Sequence, residues 1–248
     1  MPTDALPILA LLFLIVGALY ASVGHAGASG YLAVMALMSV EALVMRPTAL
    51  AINILVALIA FVQFARAGHF SWRLFWPFAL GSVPAAFIGG RVHIPPEHLR
   101  LAIGIVLLLT AARMAWVALR PPKSKAAPTP PALPAALAVG GVLGLVAGIT
   151  GTGGGIFLSP LMLLCNWADT KRTAATASLF IMLNSAAGLA GLVTTGWKPP
   201  PSLALLAAAA CLGGLLGSYL GSRRATPRAL NLALAAVLLI AGLKLVLN

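Results

Sequence analysis

"GITGTGGGIFLSP", residues 148–160, sets five glycines and a proline inside an otherwise apolar run. Relative to alanine, a glycine in a helix interior costs about 1 kcal/mol and a proline about 3 kcal/mol. A helix entering this stretch therefore breaks in it. The fold turns on whether that break lies in water or inside a bilayer.

Composition answers first. The 248 residues are 61% hydrophobic and 8% charged, with a mean hydropathy of +1.03. A soluble domain carries roughly 25% charged residues. This chain lacks the polar side chains to cover a globular surface, so lipid is its solvent and the class is a polytopic membrane protein. The net charge of +12 would suggest nucleic acid in a soluble protein. Here the basic residues sit in short gaps between apolar segments, as the positive-inside rule expects, and no nucleic-acid partner is implied. Cys165 and Cys211 both lie in apolar runs and form neither a disulfide framework nor a metal pattern. The opening "MPTDALPILALLFLIVGALY" has no basic region before its apolar run, so it reads as a retained first helix.

Ten apolar segments follow from the pattern: 6–23, 31–45, 48–65, 73–90 and 99–119, then 134–149, 156–168, 173–194, 202–221 and 229–247. This predicts a first transmembrane repeat over 1–119, an exposed basic, proline-rich linker over 120–133, and a second transmembrane repeat over 134–248. The halves resemble each other. "HAGASGYLAV" (25–34) aligns with "GTGGGIFLSP" (151–160) at an offset of 126, which also sets Arg46 on Arg172. "GSVPAAFIGGR" (81–91) matches "GGLLGSYLGSR" (213–223), and "LRLAIGIVLLL" (99–109) matches "LNLALAAVLLI" (230–240).

With five segments per half, the second half is inverted relative to the first. Charge supports this. One set of gaps holds Arg66, Arg73, Arg120, Lys123, Lys125, Lys171, Arg172, Arg223, Arg224 and Arg228. The other holds Arg46, Arg91, Arg100 and Lys198. The richer set marks the cytoplasmic side, so the linker is cytoplasmic and both termini face the other side. Merging segments one with two and six with seven erases the bias. Segments two and seven are too short for a roughly 30 Å hydrocarbon core, and they either cross poorly or form re-entrant hairpins. The expected fold is all-α and integral to the membrane: two inverted repeats whose short broken helices meet near the midplane.

Non-helical backbone at membrane depth is tolerated only where it is buried in protein or lines a wet cavity. Broken segments at matching places in inverted halves point to a transporter site. The helices beginning near Gly30 and Ile156 aim their positive N-terminal ends at that cavity, which suits an anion. The candidate substrate-binding residues are His25, Gly27, Ser29, Gly30, Thr152, Gly153, Gly154 and Gly155, joined by the mid-segment amides Asn53 and Asn184. The competing reading is packing: small residues allow helices to approach closely, and the asparagines bond between helices. Packing accounts well for "GGLLGSYLGS" and "GSVPAAFIGG", less well for "GTGGG". His25, titrating near neutral pH, is a candidate carrier of a coupling proton or simply a hydrogen-bond donor. Arg46 and Arg172 either neutralise helix ends or attract anions into a vestibule. No Lys or Arg is expected at mid-membrane beside the glycine loops.

"GHAGASGYLAVMAL" and "GITGTGGGIFLSPLML", each opening one half, resemble the paired glycine-rich signatures of the TauE/SafE sulfite exporter family. The first differs in setting His25, Ala28 and Ser29 where many members carry glycines. The resemblance implies a bacterial inner-membrane permease for sulfite, a sulfonate or thiosulfate. The residues alone give a secondary transporter of a small anion, or alternatively a channel with the same loops as its filter. They give no nucleotide-binding motif, no metal or cofactor pattern, and no clustered catalytic groups of an enzyme.

Overall fold

The computed structural model describes residues 6–119, 128–194, 196–197, 199–223 and 228–247. These form α1 (Leu6–Ala21), α2 (Ala28–Leu37), α3 (Ala42–Arg66), α4 (Trp72–Arg91), α5 (Pro96–Leu119), α6 (Leu133–Thr150), α7 (Gly155–Leu164), α8 (Thr170–Val193), α9 (Leu203–Arg223) and α10 (Arg228–Leu247). Most of the linker, with Arg120, Lys123 and Lys125, lies outside the described residues, as do Asp4, Lys198 and Arg224. Five of the helices are long and apolar enough to cross a membrane. Leu11, Leu80, Val142, Leu216 and Ile240 stand exposed on the helix bundle, as lipid-facing side chains do.

The ten helices follow the ten segments, with one shift that matters. The second segment was expected to run to residue 45, with Arg46 in a gap. Instead α2 and α7 are each ten residues long. Each closes in the same way. Ser39 and Asn166 take positive φ (56° and 52°), and the next N–H reaches back five residues, Val40 to Met35 and Trp167 to Met162, a Schellman closure. Pro47 then falls inside α3 rather than before it, and Arg46 is a buried helical residue.

The hairpin question is settled by local contacts. Phe13 of α1 stacks on Tyr31 of α2 at 4.7 Å, while Tyr20, a turn and more further along α1, meets Ser29. Thus α2 runs back along α1. In the second half, the Thr129 N–H donates to the Asn166 carbonyl at 2.9 Å, so the chain enters α6 and leaves α7 at one level. Ten residues of helix span about 15 Å. Each pair is a helical hairpin whose second arm spans only about half the hydrocarbon core.

Two close-packed seams hold the hairpins. Gly140, Gly144 and Gly148 of α6 lie against Phe78, Ser82 and Ala86 of α4. Gly213 and Gly217 of α9 lie against Leu14 and Ala18 of α1, and Gly221 against Ser22 just past its end. Each seam advances by four residues on both helices, so α4 runs parallel to α6 and α1 parallel to α9. A Cβ at any of these glycines would strike the partner's backbone, the small-residue packing expected of membrane helices. Across the centre, Asn53 meets Ser185 and Leu50 meets Gly188, so α3 and α8 run antiparallel. Gly104 against Leu245 and Leu108 against Gly242 make α5 and α10 antiparallel. Equivalent helices of the two halves therefore point in opposite directions, and the repeats are inverted.

The repeat register moves by one. The positive-φ positions pair as Gly24 with Gly151, Gly27 with Gly154, and Ser39 with Asn166, an offset of 127 rather than 126. From α3 and α8, which start at 42 and 170, the offset is 128. His25 therefore corresponds to Thr152, and Asn53 to Ile181.

Candidate functional site

Gly27 and Gly154 immediately precede α2 and α7 with φ of 97° and 74°, a conformation that disfavours a side chain. A glycine there also supplies no side-chain cap, so the first-turn N–H groups of both helices keep their positive ends uncapped. The loops before them face each other across a small cavity of about 10 Å³ lined by Tyr20, His25, Ala26, Gly27, Ala28, Ser29, Asn53, Thr152, Ile156 and Ile181. That is room for about one water molecule.

The lining follows the internal symmetry. Its three second-half residues, Thr152, Ile156 and Ile181, are the counterparts of His25, Ser29 and Asn53. The cavity is thus built from one set of positions used twice, but its polar groups are concentrated in the first half. Asn53 donates from Nδ2 to Ser185 Oγ at 3.4 Å, and its Oδ1 has no protein partner. Ser29 donates to the Tyr20 hydroxyl at 3.1 Å. The His25 Nδ1–H donates to the Val23 carbonyl at 3.2 Å, and its Nε2 is buried with no protein partner. Thr150 and Thr152 share a hydrogen bond at 3.0 Å.

The sequence-expected residues divide accordingly. His25, Gly27, Ser29, Asn53 and Thr152 line the cavity. Gly153 abuts it, since a Cβ there would lie 3.1 Å from Asn53 Nδ2 and 3.0 Å from Ser185 Oγ. Gly155 lies against Ile181, while Gly154 packs on Phe180 and Ala147. Gly30 faces Val16 and Tyr20 and serves the α1–α2 contact. Asn184 is fully buried on α8, with neither amide atom partnered by protein. It stands outside the cavity lining.

Two arginines depart from expectation. Arg46 is 4% exposed. It donates from Nε to the Gly148 carbonyl at 3.0 Å, and from Nη2 to Gly89 and Gly90 at 2.7 and 2.8 Å. It thereby neutralises the C-terminal ends of α4 and α6. It also lines a 270 Å³ pocket with His93 and Trp197. Arg172, its expected counterpart, is exposed and pairs with Asp169. The second departure is Arg113. It lies inside the candidate span Pro96–Trp116 and donates from Nη1 to the Ile156 carbonyl at 3.0 Å. A cation does stand beside a glycine loop. Its signal was present in the sequence, as Arg113 is the one charged residue between 101 and 119, and a charge inside an apolar span is a functional candidate by default.

No solved structure matches the chain significantly. A family model described as sulfite exporter TauE/SafE matches residues 9–245. The "Probable membrane transporter protein y4hK" of Sinorhizobium fredii is 42% identical over 99% of both chains. The "Probable membrane transporter protein YjnA" of Bacillus subtilis is 27% identical over 95% of this chain and 98% of its own. The match spans both hairpins, both glycine loops and the helices that hold them, and on that extent this chain belongs to the TauE/SafE family of membrane transporters.

Proposed function

We propose that this chain is a secondary transporter of a small sulfur-containing anion, such as sulfite, a sulfonate or thiosulfate, working by alternating access in the bacterial inner membrane. The linker is cytoplasmic and both termini face the other side. The observation that carries the reading is the pair of facing hairpin tips. Two uncapped helix N-termini, the Asn53 amide and the hydroxyls of Ser29 and Thr152 converge on one cavity between inverted repeats. Such donors suit the oxygens of an oxyanion. The family's description as sulfite exporters supports the sulfur chemistry. The cavity has room for about one water, so loading an oxyanion requires the hairpins to part, as a carrier does.

Neutral hydrogen bonds contribute about 0.5–1.5 kcal/mol each, and helix ends about 0.3–2 kcal/mol. The expected half-saturation therefore lies on the order of micromolar to millimolar. The test is radiolabelled sulfite uptake into proteoliposomes preloaded with unlabelled sulfite. Trans-stimulated uptake, competed by thiosulfate or a sulfonate, is the expected result. Uptake without trans-stimulation assigns a channel, and no uptake of any of the three anions overturns the reading.

A further inference from the structure

We propose that Arg113 is the counter-charge of the transported anion, oriented for that task by Pro160. The inference rests on the cavity being an anion site. Pro160 lies inside α7 and has no N–H to give the carbonyl four residues back, which belongs to Ile156. Arg113 on α5 supplies the missing donor, its Nη1 lying 3.0 Å from the Ile156 oxygen. That bond fixes the guanidinium against the first turn of α7, behind the cavity-lining Ile156; Arg113 is not itself among the lining residues. The Arg113 Nε is buried with no protein partner.

The placement is electrostatically unbalanced. A cation at a helix N-terminus opposes the helix dipole, and a second N-terminus, that of α2, faces the same cavity. No carboxylate among the described residues pairs with Arg113. Glu41 and Asp169 stand at the starts of α3 and α8, and Glu97 in the first turn of α5. A carbonyl bond satisfies one donor and leaves the charge unanswered. An oxyanion between the hairpin tips answers it, and a guanidinium presents several N–H groups to such oxygens. The alignment of 99–109 with 230–240 sets Lys244 at the equivalent position of α10, where it donates to the Leu37 carbonyl at the end of α2.

The carbonyl bond and the charge can be separated. In P160A the helix regains its own donor to Ile156, so the arginine is no longer needed there. Purified full-length protein is compared as wild type, R113Q, P160A and R113Q/P160A, reading melting temperature without ligand and sulfite affinity by ligand-induced stabilisation. The expected result is that R113Q/P160A recovers the wild-type melting temperature while its sulfite Kd stays raised by about tenfold or more. Recovery of both overturns the proposal and leaves Arg113 as a helix prop. If the neutral variants do not fold, R113K decides. A raised but measurable sulfite Kd in a folded R113K supports the charge, since lysine keeps the charge and loses the fork of donors, and a wild-type Kd overturns it. Wild type that sulfite, thiosulfate and sulfonates all fail to stabilise removes the anion site itself, a different failure from recovery of binding in the double variant.

Discussion

Asn53 carries a buried carbonyl oxygen that no protein group answers, a state costing about 1–3 kcal/mol. Keeping it is sensible if a ligand, or a ligand's water, uses the amide during transport. N53L is therefore expected to hold or raise the melting temperature without ligand while raising sulfite half-saturation about tenfold, since a hydrogen bond to a charged group contributes about 1.5–3 kcal/mol. N184L removes two unanswered atoms and should be stabilising too. Standing outside the cavity lining, it should change half-saturation less than about threefold. Thermal unfolding and uptake kinetics on both variants check this, and an equal transport defect in N184L would bring Asn184 into the site. The sequence exposed both amides as polar residues in apolar helices. It did not separate them, because that needs the helix rotation, and the two-residue correction in repeat register, that match Asn53 with Ile181. Arg113 escaped because charges were read for topology in the gaps, where Arg113 is absent. Its partner, the carbonyl freed by Pro160, exists only once α7 forms.

At the scale of elements, glycine does two different jobs. Along α6 and α9 it lets neighbouring backbones touch, and in the loops it frees helix N-termini. Substitutions should split along that line. G217L on α9 would drive a side chain into the Ala18 backbone, and overpacking of that kind costs roughly 1–3 kcal/mol or more. Its expected effect is a lower melting temperature and less monodisperse protein by fluorescence-detected gel filtration, with transport falling in proportion to folded protein. In G153A the new methyl meets Ile181 Cγ2 at 2.8 Å at a φ of 71°. It should cut transport about tenfold or more per folded molecule. Equal loss of folding in both would reduce the loop to a packing device. Element number and order were legible from hydrophobic runs and glycine breaks. The ends of α2 and α7 were not, because Pro47 marks a helix boundary in most sequences and here sits within α3.

For the whole molecule, inversion and charge make one topology. A reporter after Lys123 is expected in the cytoplasm and one at the C-terminus outside it. Cys165 is exposed at the end of α7, on the face where the α6–α7 hairpin enters. A membrane-impermeant maleimide should label it in inside-out vesicles and spare it in intact spheroplasts. Labelling from the outer face would turn the topology over. The seams also constrain how the chain is made. α6 emerges to find α4 already in the bilayer, but α1 waits for α9, and the end of α2 waits for α10, whose Lys244 donates to the Leu37 carbonyl at 2.9 Å. The first hairpin to leave the ribosome therefore gains its largest partner only when α9 is made; until then it is held by its own stack of Phe13 on Tyr31 and by α3 and α5.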